Sequence, residues 1–199
     1  MPILNYKTGW IELIVGCMFA GKTEEFIRRL LRYKYGKKNI VVFKPEIDKR
    51  YSVTKVQTHH GVSIDAVPVK DTEELLKALN EIEKTKKVDV IGIDELQFFD
   101  TKIVDVVSQL ADNGYIIVAN GLDKDFMSNP FKNVYELLPQ AEYVEKLSAI
   151  CFVCGGLANK TQRIDIKKGE EASPDSPIIL ISGANEYQAR CRHCYVKPK

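Results

Sequence analysis

The chain has 199 residues, of which 45% are hydrophobic and 28% are charged, so it is long enough for one full core or for one core with a small appendage. Its 29 basic and 27 acidic residues leave a net charge of +2, which argues against a dedicated nucleic-acid-binding protein. No apolar run approaches the roughly 20 residues of a membrane span, and the N-terminal segment lacks the apolar stretch of a signal peptide. We therefore expect a cytoplasmic protein that makes no membrane contact.

The first predicted elements are a strand, a glycine-containing loop and a helix. Residues 10–15 form a short apolar run, and residues 24–35 carry apolar side chains at helical spacing. The eight loop residues between them match G-x-x-x-x-G-K-T; they are Gly16, Cys17, Met18, Phe19, Ala20, Gly21, Lys22 and Thr23. The backbone N–H groups of such a loop converge on a phosphate at a helix N-terminus, where the lysine contacts phosphate and the threonine contacts Mg²⁺. The flanking strand and helix favour a site for a nucleoside triphosphate over a chance glycine turn.

The elements that follow alternate between strands and helices. Strands are predicted at residues 39–43, 88–93, 115–119 and 143–147. Helices are predicted after Asp71, which has Glu74 at the capping-box position, from Asp100 or Thr101 to Gly114, and at residues 134–138. Residues 53–69 are interpreted as a β-hairpin or an irregular excursion. The alternation predicts an α/β fold with a mostly parallel sheet.

The composition changes after residue 150, where turn and loop residues become frequent. We place a domain boundary there, with a nucleotide-binding core at residues 1–150 and a smaller domain at residues 151–199.

An acidic pair, Asp94-Glu95, ends the third predicted strand. An acidic residue at such a strand end holds Mg²⁺ in phosphoryl-transferring folds, and Asp94 fits this role. Glu95 lies at the edge of the same cleft and is a candidate proton acceptor. The alternative is a pair of solvated acids, which we consider less favoured because the strand is almost wholly apolar.

Four of the five cysteines form two C-x-x-C pairs, Cys151 with Cys154 and Cys191 with Cys194. In a reducing compartment, four such thiolates indicate a structural Zn²⁺ site that clamps the ends of the intervening loop. Disulfides and a redox C-x-x-C are the alternatives, but neither explains two pairs that bracket one segment. The fifth cysteine, Cys17, lies in the phosphate loop.

Large apolar side chains occur on several loops, where a binding pocket or a satellite core would use them. They are Met18, Phe98, Phe99, Phe126 and Phe131. Gln97 adds an amide between the acidic pair and the phenylalanines.

Together these residues resemble those of the type II (cytosolic, zinc-containing) thymidine kinases over nearly the whole chain. The matching motifs are residues 16–23, Lys44-Pro45 with Asp48, Arg50, Tyr51 and Ser52, the run D-E-x-Q-F-F at 94–99, Gly121-Leu122-Asp123 with Phe126, the two cysteine pairs, and Gly183-Ala184 with Tyr187 before Cys191. The phosphate loop alone is widespread among enzymes, whereas its combination with D-E-x-Q-F-F and two C-x-x-C pairs is specific.

The resemblance implies a RecA-like core with a small zinc-ribbon or lasso domain. It implies transfer of the γ-phosphoryl group of ATP, with Mg²⁺, to the 5′-hydroxyl of thymidine in nucleotide salvage, with deoxyuridine as a further candidate substrate. It also implies a homotetramer that is feedback-inhibited by dTTP.

Residue roles are implied by the same resemblance. Glu95 would be the general base, Thr23 and Asp94 would lie in the Mg²⁺ shell, and Lys22 would hold phosphate. The wider ATP-binding set comprises residues 16–23 with Asp48, Arg50, Asp94 and Gln97. The residues expected around the thymine are Met18, Phe98, Leu122, Phe126, Phe131 and Tyr187. The stretch between the cysteine pairs would form a lasso over the nucleoside.

Two rival interpretations remain. One is a phosphate-loop kinase for another deoxynucleoside, against which the D-E-x-Q-F-F and cysteine combination argues. The other is a RecA-like ATPase or a zinc-ribbon nucleic-acid-binding module, against which the balanced charge argues.

Overall fold

The computed structural model of the chain describes residues 9–48, 54–58, 61–165, 169–178 and 186–198. Within these ranges the strands are β1 (Trp10–Gly16), β2 (Ile40–Pro45), β3 (Lys55–Gln57), β4 (Ser63–Asp65), β5 (Val67–Val69), β6 (Val90–Ile93), β7 (Ile116–Leu122), β8 (Tyr143–Leu147), β9 (Ala149–Ile150), β10 (Leu157–Ala158), β11 (Lys160–Asp165), β12 (Glu170–Glu171) and β13 (Tyr187–Arg190). The α-helices are α1 (Lys22–Tyr35), α2 (Thr72–Glu83), α3 (Ile103–Asp112) and α4 (Lys132–Leu137), and 3₁₀ turns occupy Leu96–Phe98 and Leu138–Gln140.

The central element is a six-stranded sheet with the order β5-β2-β6-β7-β1-β8. Every neighbouring pair in this sheet is parallel. The predicted α/β fold with a mostly parallel sheet is therefore confirmed, and the carboxyl ends of all six strands meet at one edge.

The two faces of the sheet bury separate hydrophobic clusters, as expected for a parallel sheet with helices on both sides. Helix α1 packs Phe26, Ile27 and Leu30 against one face. Helices α2, α3 and α4 pack against the other face, where Leu75 and Val107 lie in the larger cluster. The sheet is thereby held between two layers that fix the strand ends in place.

The segment 53–69 contains the predicted hairpin, since β3 and β4 are antiparallel. The sequence did not predict that Val67–Val69 would continue into the main sheet as β5, parallel to β2. Because this pairing engages Lys44 and Pro45, β2 extends two residues beyond the predicted end at Phe43.

Helix α3 begins at Ile103, two or three residues later than predicted. The carboxylate of Asp100 instead accepts hydrogen bonds from the backbone N–H groups of Thr72, at 2.8 Å, and of Lys102, at 3.0 Å. Asp100 thus joins the start of α2 to the turn that precedes α3.

The C-terminal segments form small antiparallel sheets. Strand β9 pairs with β10, and β11 lies between β12 and β13. In the described part of the chain, no helix has the length and apolar character that crossing a membrane requires.

The N-terminus of α2 gives a test of local stability. Asp71 Oδ1 accepts a hydrogen bond from the Glu74 backbone N–H at 2.9 Å, as the capping pattern predicts. Glu74 itself accepts from the Lys70 backbone N–H at 2.7 Å. We expect Asp71→Ala to lower the free energy of unfolding by about 1 kcal/mol, because it leaves a helix N–H group without its acceptor. Urea denaturation measures this change, and Asp71→Asn, which keeps an acceptor, should stay close to the wild type.

Candidate active site

The phosphate loop lies between β1 and α1 at the carboxyl edge of the sheet. A Cβ atom at Gly16 would lie 2.5 Å from the carbonyl oxygen of Leu147 in the neighbouring strand β8, so only glycine fits there. Lys22 is buried, and its ammonium group donates to the Cys17 carbonyl oxygen at 2.8 Å. The loop is therefore compact, and it leads directly into the N-terminus of α1, the kind of position at which anions bind in proteins.

A second contact surface supports the loop from the C-terminal part of the chain. The backbone N–H of Met18 donates to Thr161 Oγ1 at 3.1 Å, and the Cys17 thiol donates to the Ala158 carbonyl oxygen at 3.4 Å. Thr161 and Ala158 belong to β11 and β10. Burial raises the pKa of the Cys17 thiol, so this side chain acts as a neutral packing group.

The acidic pair lies where β6 ends, one strand away from β7 and two from β1. Asp94 is 4% exposed and Glu95 is 8% exposed, so both are buried acids at a strand end. The backbone N–H of Asp94 donates to the Phe43 carbonyl oxygen in β2 at 2.9 Å. Glu95 has φ 50° and ψ 50°, a left-handed conformation that costs a non-glycine residue about 1–3 kcal/mol. Such strain at a strand end is typical of functional positions.

Gln97 holds the Glu95 carboxylate. Its Nε2 donates to Glu95 Oε2 at 2.5 Å, and its Oε1 accepts from the backbone N–H of Leu122 at 3.0 Å. A Cβ atom at Gly121 would lie 2.8 Å from Gln97 Oε1, so the glycine makes room for this amide. In this structure Gln97 contacts the acid rather than only separating it from Phe98.

Five of the six predicted thymine-binding residues fall into two connected groups, and Phe131 lies apart from both. Phe126 is buried beneath the guanidinium of Arg163, whose Cζ lies 5.4 Å from the Phe126 ring centre and 5.9 Å from that of Tyr187. Met18 is joined to the same strand, β11, through Thr161. Leu122 is joined through Gln97 to the 3₁₀ turn that carries Phe98. Phe131 is half-buried against the main hydrophobic cluster, which is the satellite-core placement considered from the sequence.

Of the two residues predicted to lie near the phosphates, Asp48 and Arg50, the structure describes only Asp48. Asp48 is buried, and its carboxylate lies 3.6 Å from the Lys44 ammonium group. Arg50 lies outside the described residues, as do Tyr51, Ser52, Gly183 and Ala184.

Sequence reasoning missed three buried polar residues near the site: Asn120, Thr161 and Arg163. Asn120 follows the apolar residues 116–119, so a polar side chain at the end of a buried strand was the available signal. Thr161 and Arg163 flank Gln162, which is buried as well, and nothing in this polar local sequence indicated that consecutive residues would be buried.

The four cysteines of the C-x-x-C pairs come together at one point. Their Sγ atoms all lie within 4.8 Å of one another, and those of Cys154 and Cys191 are 3.7 Å apart. A tetrahedron with Zn–S bonds of about 2.3 Å has S–S edges of about 3.8 Å, so the cluster has the size of a Zn²⁺ site. The backbone N–H of Cys194 lowers the pKa of the Cys191 thiol, whereas hydrogen bonding to Cys191 and Cys154 raises the pKa of Cys194 to about 12, so the four sulfurs are close enough to share protons. None of the five cysteines forms a disulfide.

This cluster predicts the metal content of the protein. We expect the purified protein to contain about one equivalent of zinc, and the double variant Cys151→Ser with Cys154→Ser to contain almost none, because two of the four ligands are lost. Metal analysis of the purified proteins measures this. Cys17→Ser is the matched control, since Cys17 is not one of the four clustered residues. A zinc content in the double variant equal to that of the wild type would contradict a metal site at the four cysteines.

Comparison with known proteins agrees with this geometry. The family model "Thymidine kinase" matches residues 9–195. The chain is 54% identical over 193 residues to the thymidine kinase of Mycoplasma capricolum subsp. capricolum, covering 97% of this chain and 91% of that protein. It is 56% identical over 189 residues to the thymidine kinase of Mesoplasma florum, covering 95% of this chain and 92% of that protein. It is 52% identical over 193 residues to the thymidine kinase of Mycoplasma mycoides subsp. mycoides SC, covering 97% of this chain and 91% of that protein. The phosphate loop, the buried acidic pair and the four-cysteine cluster thus occur in a chain that belongs to the thymidine kinase family.

Proposed function

We propose that the protein transfers the γ-phosphoryl group of ATP to the 5′-hydroxyl of thymidine, which yields dTMP for nucleotide salvage. Family membership supports a kinase with ATP and thymidine as substrates. The observation that carries the mechanism is the meeting of the phosphate loop and the buried pair Asp94 and Glu95 at one edge of the sheet.

The phosphate loop supplies most of the charge complementarity. Phosphoryl transfer asks a protein mainly for positioning and for stabilisation of negative charge on the phosphate oxygens. Backbone N–H groups at the start of α1 and the ammonium group of Lys22 supply positive potential for the ATP phosphates. Lys22 donates to the Cys17 carbonyl in the present conformation, so it is held beside the loop that it serves.

Thr23 and Asp94 are the proposed ligands of Mg²⁺. The donor set fits this cation, because a hydroxyl and a carboxylate are oxygen ligands and Asp94 lies buried at the end of a strand close to the loop. When bound, Mg²⁺ neutralises charge on the ATP phosphates. Thr23 is the second residue of α1, directly after Lys22, so the loop and the helix fix its position.

Glu95 is the proposed general base for the 5′-hydroxyl. Its carboxylate is buried and held by Gln97 at 2.5 Å, so it points in one direction rather than sampling several. A positioned carboxylate can accept the hydroxyl proton as the oxygen attacks the γ-phosphorus. We place Asp48 and Arg50 near the transferred phosphate, with Arg50 pairing with its charge.

The nucleoside pocket is proposed to surround the thymine with Met18, Phe98, Leu122, Phe126, Phe131 and Tyr187. The guanidinium of Arg163, close to the rings of Phe126 and Tyr187, joins two of these side chains into one unit. The loop between the cysteine pairs would close over the nucleoside as a lasso, with a structural Zn²⁺ at its two ends. Three further features rest on the family resemblance: a cytoplasmic homotetramer, feedback inhibition by dTTP and acceptance of deoxyuridine.

A nucleoside panel tests the proposal. The purified protein is incubated with ATP and Mg²⁺ and with thymidine, deoxyuridine, deoxycytidine or a purine deoxynucleoside in turn, and monophosphate formation is measured. We expect rapid product formation with thymidine and little with deoxycytidine or the purines, because the pocket is built for the thymine base. ATP hydrolysis that ignores every nucleoside and responds to DNA or RNA would overturn the proposed function.

The role of Glu95 predicts a specific kinetic defect. We expect Glu95→Gln to lower kcat by about 10²–10⁴-fold, because the proton acceptor is lost. Binding of ATP and thymidine should stay near wild type in calorimetry, since the amide keeps the size of the side chain. Glu73→Gln is the control, because Glu73 is an exposed residue that pairs with Lys77 on the surface of α2. Unchanged turnover in Glu95→Gln would exclude Glu95 as the base.

A further inference from the structure

Asn120 is a buried polar residue at the carboxyl end of β7. Its side chain is 1% exposed, and it follows four buried apolar residues, 116–119. A buried amide is unfavourable unless its polar atoms are hydrogen-bonded, so its contacts indicate why the position is not apolar.

Both polar atoms of the Asn120 side chain face the acidic pair. Nδ2 donates to Asp94 Oδ1 at 2.7 Å, and Oδ1 accepts from the backbone N–H of Glu95 at 3.4 Å. One side chain therefore contacts the carboxylate of the proposed metal ligand and the backbone of the proposed general base.

The backbone contact falls on a strained residue. Glu95 is one of the non-glycine residues with positive φ, and a left-handed conformation persists only when its surroundings hold it. Asn120 holds the backbone of Glu95, and Gln97 holds its carboxylate. Gln97 is in turn bonded to Leu122, so both amides tie the acidic pair to the same strand, β7.

We propose that Asn120 is a positioning residue of the phosphoryl-transfer site, which fixes the direction of the Asp94 carboxylate and the backbone at Glu95. This inference rests on the proposed function, because it assigns Asp94 to the Mg²⁺ shell. With Oδ1 engaged at 2.7 Å by a donor fixed in the sheet, the Asp94 carboxylate cannot turn about its Cβ–Cγ bond without losing a hydrogen bond to a charged group.

Such support changes metal binding more than it changes substrate binding. Partners that orient a ligating side chain contribute about 10–100-fold to metal affinity or to activity. Asn120 has no contact with the predicted thymine-binding residues among the hydrogen bonds of the described residues, so its loss should leave the nucleoside pocket intact. A residue that only stabilised the fold would have no reason to alter the metal dependence.

The test compares two buried asparagines changed to a side chain of similar size. Asn120→Leu removes both contacts to the acidic pair. Asn133→Leu is the matched control, because Asn133 is also buried and its amide donates only to main-chain carbonyl oxygens, the shortest being that of Phe99 at 2.7 Å. Urea denaturation measures how much each of the two substitutions lowers the free energy of unfolding.

Two readouts separate positioning from stability. The first is Mn²⁺ binding to the protein–ATP mixture by electron paramagnetic resonance, which needs no nucleoside and no turnover. The second is steady-state kinetics with thymidine at varied Mg²⁺. For Asn120→Leu we expect the half-saturating metal concentration to rise about tenfold and kcat to fall about tenfold. KM for thymidine should be unchanged, and Asn133→Leu should have wild-type metal dependence.

The outcomes distinguish this inference from the proposed function. Wild-type thymidine phosphorylation together with unchanged metal affinity in Asn120→Leu would overturn the positioning role alone. An equal rise in half-saturating metal for Asn133→Leu would also overturn it, since general loosening would then explain the effect. If the wild type does not phosphorylate thymidine, the proposed function fails, and the Mn²⁺ measurement still decides whether Asn120 orients Asp94.

Discussion

The register of β1 between β7 and β8 is the constraint on which the rest of the site depends. Gly16 stands opposite Leu122 on one side and opposite Leu147 on the other, so the phosphate loop leaves the sheet level with both neighbouring strand ends. Parallel pairing brings the carboxyl end of β6 to the same edge, and with it the acidic pair. A glycine at position 16 is required by the close approach of the Leu147 carbonyl, which shows how tightly the loop is set between its neighbours.

The acidic pair is held by two amide side chains that connect it to the adjacent strand β7. Asn120 contacts Asp94 and the backbone of Glu95, and Gln97 bridges the Glu95 carboxylate to Leu122. Amides suit this purpose because each offers a donor and an acceptor and carries no charge that would compete with the carboxylates. Both amides contact Glu95, whose left-handed backbone is of a kind that persists only where the surrounding structure holds it.

The four-cysteine cluster lies next to strands that contact other parts of the proposed site. Strands β11 and β13 are paired at Thr161 and Ala189; β11 follows the first cysteine pair in the chain, and β13 ends directly before Cys191 of the second. Through Thr161 the same strands bond the phosphate loop at Met18, and through Arg163 they contact the aromatic rings of Phe126 and Tyr187. A metal ion at the cysteines would therefore stabilise the strands that contact both the phosphate loop and the proposed nucleoside pocket.

The sequence by itself determined the features that are written in short stretches: the phosphate loop, the strand before Asp94, the cap at Asp71 and the spacing of the cysteine pairs. These depend on local conformation, hydrophobic period and ligand chemistry, which neighbouring residues specify. Only the tertiary structure decided the strand order, the addition of β5 beside β2, and the burial of Asn120, Thr161 and Arg163. Those features arise from contacts between residues far apart in the chain, such as Met18 with Thr161, and no local pattern encodes which distant partner a polar side chain will meet.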